Sequence, residues 1–302
     1  MPKQTTWTGG SSSAWDTAGN WTNGVPGSTD TAVIDGAVDI TGGTVSADEV
    51  ERVYVSSTYT GALGSTGTPL ELDAAQVSID STASGSTHYL HLLGSANATP
   101  DVIVSGLKTA DALYLSGTLD RVLVGPTFVG TMYLGNSAGK YAIPKDLIIT
   151  ATTGTVDAST AANVAWATGA SVEVLGGTLI LGENVGQDST MTVSGGTVQV
   201  DDWSAVTGDQ LDIHGGIVKW LAGSPGLTPS SITTMRTINV YGGTFTVATN
   251  QSAYVGLNDI RQWGGTVILQ SDFANVDLNG TFERFAGEYT PPKQSLVTVV
   301  AL

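Results

Sequence analysis

Residues 172–181 read Val-Glu-Val-Leu-Gly-Gly-Thr-Leu-Ile-Leu. Apolar residues alternate on both sides of the glycine pair, which is the period of a strand with one buried face. The pair between the runs marks a corner that residues bearing a Cβ take only at a cost. The pattern returns as Met191–Val200 (MTVSGGTVQV), Leu211–Trp220 (LDIHGGIVKW), Ile238–Val247 (INVYGGTFTV) and Ile260–Leu269 (IRQWGGTVIL). A further copy, Val38–Ser46 (VDITGGTVS), lies near the N-terminus. The starts at 172, 191, 211, 238 and 260 are spaced by 19, 20, 27 and 22 residues. A strand-type repeat of this length means stacked units that bury their apolar faces on one another. The sequence therefore predicts an all-β fold, a parallel β-helix (β-solenoid) of coils of about 20 residues.

The corner itself tolerates variety. The residue before the glycines is Leu175, Ser194, His214, Tyr241 or Trp263, whereas the strand positions stay apolar. On this pattern the corner is a stacking device, and function is expected in what departs from it.

Residues 70–150 keep the strand rhythm without the double glycine. Short runs recur at Leu70–Leu72, Val77–Ile79, Leu90–Leu93, Val102–Val104, Leu113–Leu115, Val122–Val124, Met132–Leu134 and Leu147–Ile149, separated by Gly, Ser, Asn or Pro. They are expected to belong to the same stack, although a β-sandwich of short strands reads much the same. Residues 160–167 suit either a short helix or a loop crossing one face. Pro225 and Pro229 mark an insertion over 221–237 that accounts for the step of 27.

Composition narrows the class. Of 302 residues 41% are apolar but only 13% charged, with 39 glycines, which favours sheet over long helices. Eleven Lys and Arg against 27 Asp and Glu leave a net charge of −16. Such a chain is repelled by phosphate backbones and anionic membrane surfaces, so neither nucleic acid nor membrane is an expected partner. With no cysteine, disulfides and thiolate metal sites are ruled out. The opening Met-Pro-Lys-Gln-Thr-Thr-Trp has no apolar signal core, and no run approaches the ~18 residues of a membrane helix. A soluble protein is expected.

Three segments follow from texture. Residues 1–36 form an N-terminal cap or docking segment, 37–272 the solenoid, and 273–302 a C-terminal strand or tail. In the first, Trp7, Trp15 and Trp21 lie among glycines ahead of Val25-Pro26-Gly27 and Asp30. An aromatic-rich cap over an open strand edge is the expected role; a carbohydrate platform is the functional alternative. In the last, Pro291-Pro292 redirects the chain before Ser295–Leu302, whose Leu296, Val297 and Val299 make it strongly apolar. That strand either closes its own stack or adds to a neighbouring subunit's sheet.

Catalytic groups are sparse. His88 and His91, three apart on a strand, point to opposite faces and cannot share a metal. The acidic group Asp48, Glu49 and Glu51 lacks the surrounding ligands of a calcium loop. The best carboxylate pair for glycoside cleavage is Asp201-Asp202 beside Trp203, with Asp209 and Asp212 nearby. An acidic coil corner explains it more simply. No nucleophile elbow or phosphate loop is present, so no catalytic residue, cofactor or metal is assigned.

The string W-T-G-G-(x)4-W-D-T-A-G-N-W-(x)3-V-P-G-(x)2-D-T-A-V-I, from Trp7 to Ile34, resembles the N-terminal motif of autotransporter-type passengers. It is also similar to the openings of β-helical phage structural proteins. Both resemblances imply a right-handed parallel β-helix. Autotransporters carry a signal peptide before the motif and a membrane barrel after the passenger, and neither is seen here. The phage resemblance therefore implies a non-enzymatic virion protein, a decoration or cement component on the capsid surface, partnered by the major capsid protein and by itself as a homotrimer. Host surface carbohydrate is a further partner to consider. A polysaccharide-cleaving tail spike and a bacterial surface adhesin are the alternatives.

Overall fold

The computed structural model describes residues 1–41, 43–44, 50–80, 87–93, 101–107, 112–135, 142–159, 166–181, 189–200, 208–222, 237–249, 255–257, 259–271, 276–278, 281–291 and 299–301. For 43–44, 208–209, 220–222, 248–249, 255–257, 270–271, 276–278 and 299–301 the backbone alone is described. The chain divides into two compact units, Met1–Val156 and Asp157–Leu302. This boundary has no linker composition to announce it. Every strand pairing with a described register is parallel, which excludes the sandwich and gives the predicted β-solenoid.

In the first unit the strands are β1 (Gln4–Thr6), β2 (Thr31–Ile34), β3 (Gly43–Thr44), β4 (Val50–Val55), β5 (Leu70–Leu72), β6 (Ala74–Ile79), β7 (Thr87–Leu92), β8 (Asp101–Val104), β9 (Ala112–Val124), β10 (Thr131–Leu134) and β11 (Ala142–Ile149). One ladder runs β1–β2–β4–β6–β8 and then through the second half of β9 to β11. The other runs β3–β5–β7, the first half of β9, then β10. β9 passes from one ladder to the other by bending at Gly117, whose φ is +105° and where a Cβ would run into the Leu92 backbone. The eight short runs predicted between 70 and 150 fall in seven of these strands, Leu113–Leu115 and Val122–Val124 both lying in β9.

The alternation builds the core. The register stacks Ile34, Val55, Ile79, Val104, Val124 and Ile149 in one inward column, all buried. Each such side chain contributes about 1.5–3 kcal/mol of apolar transfer. β-branched residues suit this use, since their stiff χ1 repeats identically from rung to rung.

β12 (Thr155–Ala158) straddles the unit boundary. In the second unit follow β13 (Ser171–Val174), β14 (Thr178–Leu181), β15 (Ser189–Val193), β16 (Thr197–Val200), β17 (Gly208–Ile213), β18 (Ile217–Ala222), β19 (Thr237–Val240), β20 (Thr244–Thr249), β21 (Val255–Leu257), β22 (Asp259–Gln262), β23 (Thr266–Ser271), β24 (Val276–Leu278), β25 (Phe282–Arg284), β26 (Glu288–Thr290) and β27 (Val299–Ala301). The strands before the glycine corners pair as β13–β15–β17–β19–β22–β25–β27. Those after the corners pair as β14–β16–β18–β20–β23–β26. A small third face joins β21 to β24.

Backbone pairing continues through the corners. The carbonyl of Val193 accepts from the amides of His214 (2.8 Å) and Gly215 (3.2 Å), and that of Val240 from Trp263 (2.8 Å) and Gly264 (3.1 Å). The second glycine of each pair lies at positive φ, +63° to +68° for Gly177, Gly196, Gly216, Gly243 and Gly265. One more corner lies in the expected tail. Arg284-Phe285-Ala286-Gly287 turns the chain from β25 to β26, so the ladders continue past residue 272.

The terminal strand β27 pairs with β25 (Phe282 beside Val299), so it closes its own stack. Pro291 is exposed at the end of β26. Pro292, Leu296 and Val297 lie outside the described residues, as do residues 160–165, most of the Pro225/Pro229 insertion, and parts of the Val38–Ser46 copy. Within that copy Ile40 is buried and β3 pairs with β5.

Candidate functional site

The Trp-rich opening is built as a cap. Trp7, Trp15 and Trp21 are all buried, Trp21 meeting Trp7 at 5.2 Å and Trp15 at 4.7 Å edge to face. β1 gives one edge to β2; its other edge is covered by an antiparallel return of residues 20–23. Thr22 N donates to Thr6 O (3.0 Å), Thr8 N to Asn20 O (2.7 Å) and Asn23 Nδ2 to Gln4 O (2.9 Å). The strand edge that would template a foreign strand is thus occupied.

Asn20 organises the return. Its buried Oδ1 accepts from the Ser11 and Ser12 amides (both 2.8 Å), and its Nδ2 donates to Ala14 O (2.7 Å) and Ser12 Oγ (3.0 Å). Asp30 locks the other side. Its carboxylate accepts from the Lys3 amide (2.9 Å) and the Gly27 amide (2.8 Å), with Lys3 Nζ at 3.7 Å. Burial works to raise its pKa, but these two amides and the Lys3 charge bring it below the ordinary 3.8. Pro26 is buried in the turn that Asp30 closes. The motif residues are therefore engaged in holding β1 to β2. Ring faces packed in this way are closed to sugars, and the platform alternative fails for these tryptophans.

The candidate catalytic groups are dispersed. His88 is buried against Tyr59 (centroids 6.1 Å apart), while His91 faces outward with Nδ1 3.0 Å from Ser116 Oγ. Asp212 accepts from Gln210 Nε2 (2.6 Å) and Asn239 Nδ2 (2.8 Å), part of a side-chain ladder across coils. Asp201, Asp202, Trp203, Asp48, Glu49 and the side chain of Asp209 lie outside the described residues. Among the described residues no three His, Asp or Glu side chains gather as a metal site. Nor is any helix among them long and apolar enough to cross a membrane.

What the structure brings together instead is a column of aromatic side chains on the glycine corners of the second unit. The residue before each pair repeats with the backbone, so successive side chains lie over one another. His214 stacks on Tyr241 (4.7 Å, 5°), Tyr241 on Trp263 (6.4 Å, 9°) and Trp263 on Phe285 (4.0 Å, 5°). Tyr241, Trp263 and Phe285 remain 44, 46 and 40% exposed. Beside the column, two residues earlier on each strand, stand Asp212, Asn239, Arg261 and Glu283, with Arg261 Nε 3.3 Å from Glu283 Oε2.

A second stack, Tyr89–Tyr114–Tyr133 (4.5 and 4.6 Å), lies on the outward side of β7, β9 and β10 in the first unit and is less exposed. The sequence alone does not reveal the corner column, because Leu, Ser, His, Tyr and Trp at one position look like free variation. The signal is their common offset from the glycines. Comparisons with protein-family models, with curated proteins and with solved structures returned no match.

Proposed function

We propose that this chain is a non-enzymatic virion protein of a bacteriophage, a decoration component that binds the outer capsid shell through the major capsid protein, as a homotrimer. The observation that carries the reading is the use made of the Trp7–Ile34 motif, the stretch that resembles the openings of β-helical phage structural proteins. Its Trp, Pro and Asp side chains are built into an edge-closing cap, as a solenoid needs if it is to stay soluble without pairing indiscriminately. Of the titratable groups singled out in the sequence, Asp30, Asp212 and His91 are hydrogen-bonded to neighbouring coils, and His88 is packed inside one.

The test is reconstitution. Purified chain is mixed with phage capsids that lack it, sedimented, and the shell's thermal stability is recorded. Saturable co-sedimentation with a raised shell transition is expected, and light scattering of the free chain should give three copies. Failure to bind shells overturns the reading. Release of reducing ends from host surface polysaccharide replaces it with the tail-spike alternative.

A further inference from the structure

We infer that the corner column of the second unit is a binding strip for a neutral glycan chain, with Tyr241 and Trp263 as its ring platform. The inference does not depend on attachment to a capsid.

Folding does not require aromatic residues at these corners. Ser194 occupies the same place in the second corner, and its amide still reaches Val174 O at 2.9 Å, against 2.8 Å for His214, Tyr241, Trp263 and Phe285. Yet four successive corners carry rings, and three of these are 40% exposed or more. Large aromatics kept in water without a backbone reason mark a contact surface.

The geometry favours a sugar. In a fully eclipsed stack only ring edges face outward, which suits no saccharide. This column has a step. With coils about 4.8 Å apart, the 6.4 Å separation of the nearly parallel Tyr241 and Trp263 rings places them about 4 Å out of line. Trp263 and Phe285, by contrast, are centred at 4.0 Å. The offset uncovers part of the electron-rich ring faces, against which the electropositive C–H groups of a pyranose pack. Arg261 and Glu283 stand alongside, half-exposed, with the planar donor and acceptor groups that hydroxyl pairs use.

The width of the strip decides between glycan and protein. A protein interface needs a broad apolar core. Here the column is one ring wide, bordered by Asp212, the buried Asn239 and Arg261 on one side and by Ile217, Thr244, Thr266 and Glu288 on the other, of which Ile217 alone is apolar. A narrow strip several coils long matches a chain-like ligand. The net charge of −16 selects against polyanions, leaving a neutral glycan.

The experiment titrates the full chain with cellohexaose, maltohexaose and chitohexaose, with alginate as the anionic comparison, following tryptophan fluorescence and calorimetry. Variants are Trp263→Ser and Tyr241→Ser, which install the side chain that the second corner already carries, and Tyr114→Ser on the other stack. Saturable binding of at least one hexaose is expected, weakened about tenfold or more by either corner variant and unchanged by Tyr114→Ser. Thermal unfolding of each variant separates lost contact from lost fold; should Trp263→Ser unfold, Trp263→Leu, which installs the side chain of Leu175 in the first corner, replaces it. Absence of binding to all three hexaoses overturns the proposal, as does binding to alginate alone or undiminished binding by the corner variants. Loss of shell co-sedimentation in Trp263→Ser without any hexaose binding overturns it too, making the column a protein contact.

Discussion

The carbonyl oxygen of Tyr241 lies against Gly264 of the next coil so closely that a Cβ at Gly264 would stand well under 3.0 Å from it. Gly215 and Gly242 meet the carbonyls of Ser194 and His214 in the same way. The first glycine of each pair is thus needed for approach between coils, the second for its positive φ. Gly264→Ala is expected to destabilise the second unit by about 1–3 kcal/mol through forced separation of coils. Ala286 holds the same place in the last corner. There the amide-to-carbonyl distance to Gln262 is 3.4 Å, against 3.1 Å from Gly264 to Val240, and Gly287 opens to +94°. Urea unfolding checks this; a Gly264→Ala midpoint equal to wild type would refute the packing argument.

Asn20 carries more hydrogen bonds than any aromatic in the cap, and it is fully buried. Asn20→Ala strands two amides and a carbonyl, at a cost of about 2–4 kcal/mol. The loss should appear first as a red shift of tryptophan emission, because Trp15 and Trp21 become wet when the 20–23 return lifts from β1. Exposure of that strand edge should also raise aggregation. A destabilised variant with unshifted emission would place the role of Asn20 elsewhere.

Acid should act on the N-terminal coils. The hydroxyls of Thr58 and Ser56 and the amide of Gly36 hold Asp35 below the ordinary 3.8, and Asp30 is lowered as described above. A carboxylate whose pKa falls on folding contributes stability that is present above its unfolded value and is lost as pH drops through its folded value. Stability should therefore decline from about pH 4 downward. Asp30→Asn and Asp35→Asn should each flatten that decline while lowering stability at neutral pH. Melting curves from pH 2 to pH 7 decide; an unchanged acid slope in both variants would sink the assignment.

The repeat was legible because a glycine pair and a strand period are local features. Val172–Leu181 alone shows the corner, and Ile34, Val55 and Ile79 show which face is buried. Three things were not legible, each for a physical reason. The corner at Arg284–Gly287 carries Ala286 where the others carry their first glycine, and its geometry differs accordingly, with Gly287 at +94°. Among the described residues the antiparallel return of Asn20–Asn23 over β1 occurs once, outside the repeat. The aromatic column depends on vertical register between residues 22 to 27 positions apart, such as His214, Tyr241 and Trp263, and side-chain type along the chain does not reveal it.

Ionic strength offers the last discriminating measurement. The described ion pairs, Lys3–Asp30, Arg121–Asp101, Lys145–Asp120 and Arg261–Glu283, each have at least one partner well exposed, so each is worth about 0–1 kcal/mol. Against them stands a net charge of −16. Raising salt from about 0.01 M to about 0.15 M shortens the screening length from about 30 Å to about 8 Å. Repulsion among many distant carboxylates is damped more than attraction within a few close pairs. The unfolding temperature is therefore expected to rise with added sodium chloride, and Arg261→Gln should leave that slope unchanged. A fall with salt would mean that attraction within the pairs outweighs the repulsion among the carboxylates.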